Sequence, residues 1–502
     1  MNLGDTMSKE FNILLAQVHE IRDLAATLAL LEWDMQTYLP AGAADGRAAQ
    51  METLAGVVHE KLTSRAFAHA LESAEAAKYE PGSFEAALLR KLRNNFEKER
   101  KMPARLVREI GAASSAAYGA WLRAREEQKF SSFAPHLEKL LKLRQEQSAL
   151  YAPAAHPLDP LLDDYEEGLT VAEIDPVFAV LRKEQTALVR EAADRKQPDD
   201  SFLHDHPFST KKQLELARFA AKRIGYDFRR GRIDLTEHPF TTSFGLSDVR
   251  ITTKAFPQLP LSCLFSTIHE AGHAIYEQGI DRKFDRTPLA DGASLAFHES
   301  QSRLWENQVG RGLPFWRWFY PYMQRKFPGE LGTIPLERFY GAINRVECSL
   351  VRIEADEATY NLHILLRYDL EKALFENRLS VEELPEAWNE KMRQYLGLVP
   401  PNDLAGVLQD VHWAGGSFGY FPTYALGNLI AAQVWSLAHK EIPDLDEEIA
   451  SGRFAAFRAF LRERVHHFGA SLPPRELLRK LTGTEKINPA PFLAYLREKY
   501  LP

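Results

Sequence analysis

Apolar positions recur three and four residues apart through most of the chain, with charged side chains filling the intervals. The spacing predicts helices over 8–34, 43–75, 84–100, 104–127, 134–151, 171–194 and 210–225. It predicts further helices over 258–279, 294–310, 335–376, 381–397, 424–440 and 451–468. Pro40, Pro81–Gly82, Pro157, Pro160, Pro328–Gly329, Pro400–Pro401 and Pro473–Pro474 punctuate them. The exception is 232–254, rich in Thr, Phe, Val and Ile with Gly245 near its centre, which reads as a short β-hairpin or small sheet. No repeat and no long polar linker interrupts the pattern. The expectation is a mainly α, single body over 1–502 with a deep cleft. The small sheet would form one wall of that cleft, and the helices of about 1–130 one rim.

Composition narrows the function classes. Hydrophobic residues make up 45% and charged residues 26% of 502, the balance of a globular protein rather than a disordered or membrane-embedded one. The net charge of −7 is too mild for wrapping nucleic acid or an anionic membrane. No apolar run approaches a membrane span, and the opening residues carry no export signal, so the expected location is the cytoplasm. Cys263 and Cys348 are too few for a disulfide framework or a Cys-rich metal site and read as core residues.

The chemistry concentrates in 261–279. Leu261, Leu264, Phe265, Ile268 and Ile275 mark a buried helical stripe, and His269 and His273 sit one turn apart on its flank. Two imidazoles four apart can grip one ion from the same side. Glu270 projects about 100° away, beside the ion rather than on it. This is the His-Glu-x-x-His arrangement of zinc hydrolases, with the Glu as general base. The metzincin continuation would need Gly at 276 and His at 279; the chain has Tyr276 and Gly279. Zinc needs a third ligand, and Glu299 is favoured, with His298 as its rival. Neighbouring helix positions diverge by about 100°, so only one of the two faces the ion.

At this point the sequence resembles the thermostable metallocarboxypeptidases of the carboxypeptidase Taq type. The likeness rests on ordered signatures that span nearly the whole chain. They are Leu31-Glu-Trp33-Asp34, His238-Pro-Phe240, Asp248-Val-Arg250-Ile-Thr252, His269-Glu-Ala-Gly-His273 and His298-Glu-Ser-Gln301. Val351-Arg352-Ile-Glu-Ala355-Asp356, Gly406-Val-Leu-Gln409-Asp410-Val-His412-Trp413 and Gly419-Tyr-Phe-Pro-Thr-Tyr424 follow. The resemblance implies a helical cleft enzyme, a homodimer, that removes single residues from peptide C termini with broad specificity. It implies one zinc or cobalt ion on His269, His273 and Glu299, with Glu270 as base. The neighbouring alternatives are a helical oligopeptidase or dipeptidyl carboxypeptidase. An alternative of another class is a helical binding protein with a vestigial metal site.

A carboxypeptidase must read a free α-carboxylate, which suits a guanidinium fork. Arg352, expected on the long helix 335–376, is the first choice; the plain alternative is an i,i+4 ion pair with Asp356. Arg250 is the second, against the alternative of an Asp248–Arg250 brace. His238 is held extended by Pro239 and reads as a cleft-facing imidazole. Gln409 precedes a Gly-rich segment expected to be mobile, in which His412 or Tyr420 stabilises the oxyanion.

Overall fold

Helix α1 (Lys9–Thr37) begins where the Ser8 hydroxyl accepts a hydrogen bond from the Phe11 N–H. The computed structural model describes residues 8–151 and 154–502; residues 1–7, read above for an export signal, lie outside them. The stretch expected as one helix over 43–75 is two, α2 (Ala44–Thr63) and α3 (Arg65–Glu75). Ser64 between them is extended and caps α3 by accepting from the Phe67 N–H, a switch that hydrophobic spacing alone does not reveal. The next three helices follow the periodicity: α4 (Phe84–Lys101), α5 (Ala104–Glu127) and α6 (Ala134–Ala149). α4 buries Leu88, Leu89, Leu92 and Phe96 on one face, leaving a polar face opposite. After α7 (Asp159–Tyr165) come α8 (Val171–Asp194), opened by a Thr170–Glu173 capping box, and α9 (Thr210–Ile224).

The β-rich stretch forms a three-stranded sheet from β1 (Ile233–Leu235), β2 (Thr241–Ser243) and β3 (Val249–Thr253), in the order β1-β3-β2. β2 and β3 are the expected hairpin, with Thr241 opposite Ile251 and Gly245 at φ 135° in the turn. β1 adds in parallel, Ile233 opposite Ile251. The sheet packs on α10 (Ser262–Gly279), which also lies against α9 and α11 (Leu295–Arg303). α11 runs into a wide π turn, Leu304–Val309, in which the Gly310 N–H reaches back five residues to the Trp305 carbonyl.

Helices α12 (Leu313–Lys326), α13 (Pro328–Leu331), α14 (Leu336–Ile343), α15 (Tyr360–Phe375), α16 (Leu384–Leu396) and α17 (Pro422–Glu441) continue the body. α18 (Leu445–Ala450), α19 (Ala455–Arg464), α20 (Pro474–Thr482) and α21 (Ala490–Tyr500) complete it. The helix expected over 335–376 is interrupted between α14 and α15. Asp356 accepts from the backbone N–H groups of Glu347, Ala358 and Thr359, fixing a connector instead of continuing the helix. Arg352 therefore stands on a single 3₁₀ turn, Arg352–Glu354, not on a long helix.

Candidate metal centre

α10 is buried almost all round by Cys263, Leu264, Phe265, Ile268, Ala271, Ala274, Ile275 and Tyr276. Its polar positions, His269, Glu270, His273 and Glu277, face α11 and the sheet. His269 Nε2 lies 3.6 Å and His273 Nε2 3.4 Å from Glu299 Oε2, and the three donor atoms all fall within 4.8 Å of one another. A tetrahedral ion with bonds of about 2.1 Å sets its ligand atoms about 3.4 Å apart, so this donor triangle fits a zinc-sized cation.

The far side of each donor is held. His269 Nδ1 donates to Glu306 Oε2 at 2.9 Å, which directs its Nε2 lone pair inward. His273 Nδ1 meets His298 Nδ1 at 2.5 Å, and His298 Nε2 meets Glu277 Oε1 at 2.9 Å. With the Nε2 of His273 as the lone-pair donor, protons run from His273 to His298 and from His298 to Glu277. Glu299 keeps Oε2 toward the histidines, while Oε1 accepts from Arg303 Nε at 2.7 Å. Burial opposes the charge on Glu299, yet Arg303 and the two imidazoles hold its carboxyl well below the usual range. Arg303 also reaches Glu306 at 3.2 Å.

This packing requires glycine at two points. A Cβ on Gly272 would stand 2.7 Å from both the Gln301 carbonyl oxygen and Ser302 Cα, so α10 and α11 touch backbone to backbone. A Cβ on Gly427 of α17 would stand 2.7 Å from Glu299 Cγ, so α17 presses on the Glu299 side chain directly.

Glu270 is buried beside the donors, with Oε2 accepting from the Thr241 hydroxyl at 2.6 Å. Burial raises its carboxyl pKa, against the pull of His269 and Thr241. On the other side stands a second cluster. Arg352 donates through Nε and Nη2 to Asp410 Oδ1 at 3.0 and 2.8 Å, and through Nη1 to the Tyr360 hydroxyl at 2.8 Å. Arg367 Nε donates to the other Asp410 oxygen at 2.6 Å. The expected alternative, Arg352 paired with Asp356, is absent because Asp356 is occupied by backbone. Two guanidiniums against one carboxylate leave one surplus positive charge. Tyr360 connects this cluster to the donor triangle, since the Arg303 guanidinium lies 4.3 Å from its ring centre.

Gln409 accepts from the Arg352 N–H and from Arg367 Nη2, and donates to the Leu350 and Ala405 carbonyls, so it props the arginines. His412 packs against the rings of Tyr420 and Phe421, with Nε2 3.4 Å from the Tyr424 hydroxyl. Burial lowers its pKa to about 4. The Gly-rich segment is tied down from beneath: the buried Glu371 carboxylate accepts from Trp413 Nε1 at 2.7 Å and from the Gly419 N–H at 2.9 Å. Those two donors lie next to His412 and Tyr420 in sequence, inside the segment the two residues bound. Burial pushes the Glu371 carboxyl up to about 7.

The sheet wall holds the remaining candidates. Arg250 is forked onto Asp248 at 2.9 and 2.8 Å and lies between the rings of Trp33 and Phe244, bracing α1 to the hairpin. His238 is exposed on the bend before β2. A cleft of about 710 Å³ opens beside His298, Glu277 and Ser243, with α4, α5, α6 and the end of α7 forming its far side.

Residues 13–500 match the family described as carboxypeptidase Taq (M32) metallopeptidase. The chain belongs to this family. Thermostable carboxypeptidase 1 of Thermus thermophilus is 42% identical to this M32 enzyme over 507 residues, covering 99% of each chain. Carboxypeptidase 1 of Bacillus subtilis is 38% identical, over 99% of this chain and 98% of the relative. The crystal structure of an M32 carboxypeptidase from Deinococcus radiodurans R1 superposes with a TM-score of 0.96 at 39% identity, over 98% of this chain and 99% of that one. The M32 protein is thus a metallocarboxypeptidase that acts on peptides. Among its described residues no helix is long and apolar enough to cross a membrane.

Sequence reading did not single out Glu306, Arg303, Thr241, Arg367 or Glu371 in this M32 site. Arg303 and Glu306 follow Glu299 at four and seven residues, a spacing that marks one helix face and was open to inspection. Arg367 and Glu371 lie on α15 with no local motif around them, and only the fold brings them under the Gly-rich segment.

Proposed function

We propose that this M32 enzyme holds one zinc ion, with cobalt as a substitute, on His269, His273 and Glu299. On this reading it releases single residues from peptide C termini with broad tolerance of side chain. The observation that carries the reading is the donor triangle with Glu270 buried at its edge. The bound ion supplies Lewis acidity, acidifying water and polarising the scissile carbonyl. Thr241 fixes one Glu270 oxygen, and burial raises the proton affinity of the carboxylate. Glu270 therefore takes the proton of the attacking water and passes it to the leaving amine.

Tyr420 and His412 supply hydrogen-bond donors to the carbonyl oxygen as charge develops on it. His412, with a pKa of about 4, serves as a neutral imidazole near pH 7. The surplus positive charge at Arg352 and Arg367 receives the substrate α-carboxylate, with Arg352 as the contacting fork and Gln409 as its prop. On the sheet wall His238 is open to a peptide, and Arg250 secures that wall. The chain forms one catalytic domain over 1–502. The family resemblance points to a homodimer, and the two unpaired cysteines fit the cytoplasm.

Glu270→Gln is expected to retain the metal stoichiometry and melting temperature of the parent while kcat falls by about 10²–10⁴. Parent-like turnover in this variant sinks the base assignment. Products from one defined hexapeptide are expected to be single amino acids taken successively from the C terminus. Dipeptides or internal fragments would assign the chain to a dipeptidyl carboxypeptidase or an oligopeptidase instead.

A further inference from the structure

The polar face of α4 forms a stripe along the 710 Å³ cleft: Lys91, Asn94, Asn95 and Lys98, at spacings of three, four and seven. Its charges are matched within the protein. Lys91 pairs with Glu167 at 3.5 Å, and Lys98 with Asp163 at 2.5 Å and Asp164 at 3.2 Å. The two carboxamides between them are different. Asn94 and Asn95 are half-buried, and among the described residues neither has a hydrogen-bond partner.

Two successive asparagines inside a helix are costly in their own right, since Asn ranks low in helix propensity. Facing the cleft with no partner inside the protein, both carboxamides are free to bond to a ligand. A carboxamide carries a donor and an acceptor in the same plane, as a peptide group does, and so can pair with main chain regardless of side chain.

Arg144 of α6 lines the same cleft. Its Nη1 donates to Gln147 at 2.5 Å, its Nε is buried against Gly416, and its Nη2 has neither a hydrogen-bond partner nor an ion pair among the described residues. A half-buried guanidinium with idle donors in a binding cleft is under-satisfied until a carbonyl or carboxylate oxygen arrives. The same cleft leads to the catalytic groups: Tyr165 lines it and packs edge-on against Tyr420, with ring centres 5.0 Å apart.

We propose that Asn94, Asn95 and Arg144 form a subsite that grips the main chain of the substrate on the N-terminal side of the scissile bond. The inference rests on the carboxypeptidase reading, in which one residue lies beyond the cut and the rest of the peptide must lie before it. Arg352 and His412 do not line this cleft, which therefore lies apart from the proposed α-carboxylate pocket. Neutral carboxamides and one guanidinium aimed at carbonyl oxygens read peptide length rather than sequence.

The test compares an N-blocked dipeptide with an N-blocked hexapeptide ending in the same two residues. The enzymes are the metal-loaded parent, Asn94→Ala/Asn95→Ala, the isosteric Asn94→Asp/Asn95→Asp and Arg144→Gln. Each variant is expected to lose roughly tenfold in kcat/KM on the hexapeptide, through KM, and to stay within about twofold of the parent on the dipeptide. In the Glu270→Gln background, hexapeptide affinity should fall by the same factor. Equal losses on both substrates, or losses on neither, overturn the subsite while leaving the carboxypeptidase reading intact. If the parent releases no C-terminal residue from either peptide, the activity itself is refuted and this subsite falls with it.

Discussion

Glu306 accepts a hydrogen bond from His269 Nδ1–H and shares Arg303 with Glu299, so one side chain governs both a ring tautomer and the charge of the candidate ligand carboxylate. Glu306→Gln keeps an acceptor for His269 but removes the negative charge that balances Arg303. Metal affinity, measured by competition with a chelator, is expected to drop 10–100-fold, with kcat of the fully loaded enzyme affected much less. Unchanged affinity would mean that the negative charge of Glu306 contributes nothing to metal binding. At this scale the His-Glu-x-x-His run is readable from sequence because its geometry is local to one helix. The partner of Arg352 is not, because Asp410 lies 58 residues away and only the fold brings the two together. Asp356, four residues on, had the right spacing but the wrong backbone between.

Three helices close around Glu299: α11 carries the residue, α10 packs on α11 through Gly272 against Gln301 and Ser302, and α17 presses on Glu299 itself through Gly427. Gly427→Ala inserts a methyl group against Glu299 Cγ and is expected to destabilise the fold by about 1–3 kcal/mol and to lower metal occupancy. Gly111→Ala is the matched control, because Gly111 lies in exposed α5 with nothing within 4 Å of its Cβ position; it should be neutral or stabilise by up to about 1 kcal/mol. Thermal melts with metal analysis of both variants decide this, and an equally mild Gly427→Ala would refute the contact. Most helices were visible in the hydrophobic spacing, but not all. α12 went unread because Phe315, Trp316, Trp318, Phe319 and Tyr320 bury nearly every face, leaving no polar stripe to reveal a period. α20 starts with Pro474 in its first turn, so the residues that open it looked like punctuation, and α21 was not read at all. The breaks at Ser64 and Asp356 depend on side-chain caps, which periodicity does not register.

Across the whole molecule, Glu270, Glu277, Glu299 and Glu306 sit close together in the interior, faced by Arg303 and the more distant Arg311. On the proposed reading, a divalent cation at the donor triangle reduces that repulsion and links elements far apart in the chain. Since the ion binds the folded state, loading at a thousandfold excess over Kd should stabilise the protein by about 4 kcal/mol. A chelator is accordingly expected to lower the melting temperature, with recovery on adding back zinc. A melting curve indifferent to both treatments would show that the triangle binds no cation tightly. The sheet, the cleft and the helical body were anticipated from pattern, whereas the charge balance of the interior emerges only when the chain is closed.

The π turn at Leu304–Val309 has an evolutionary consequence. Such a turn holds one residue more than an α-helix would at the same place, and it lies between Glu299 and the far end of the segment carrying Glu306. A one-codon deletion at Leu304 or Trp305 would swing Glu306 by about 100° relative to Glu299, away from the histidine it supports. Length variation in this hexapeptide thus has a functional cost that the same indel in a surface loop would not carry, and homologues aligned with a gap at this site have to support their first histidine by other means.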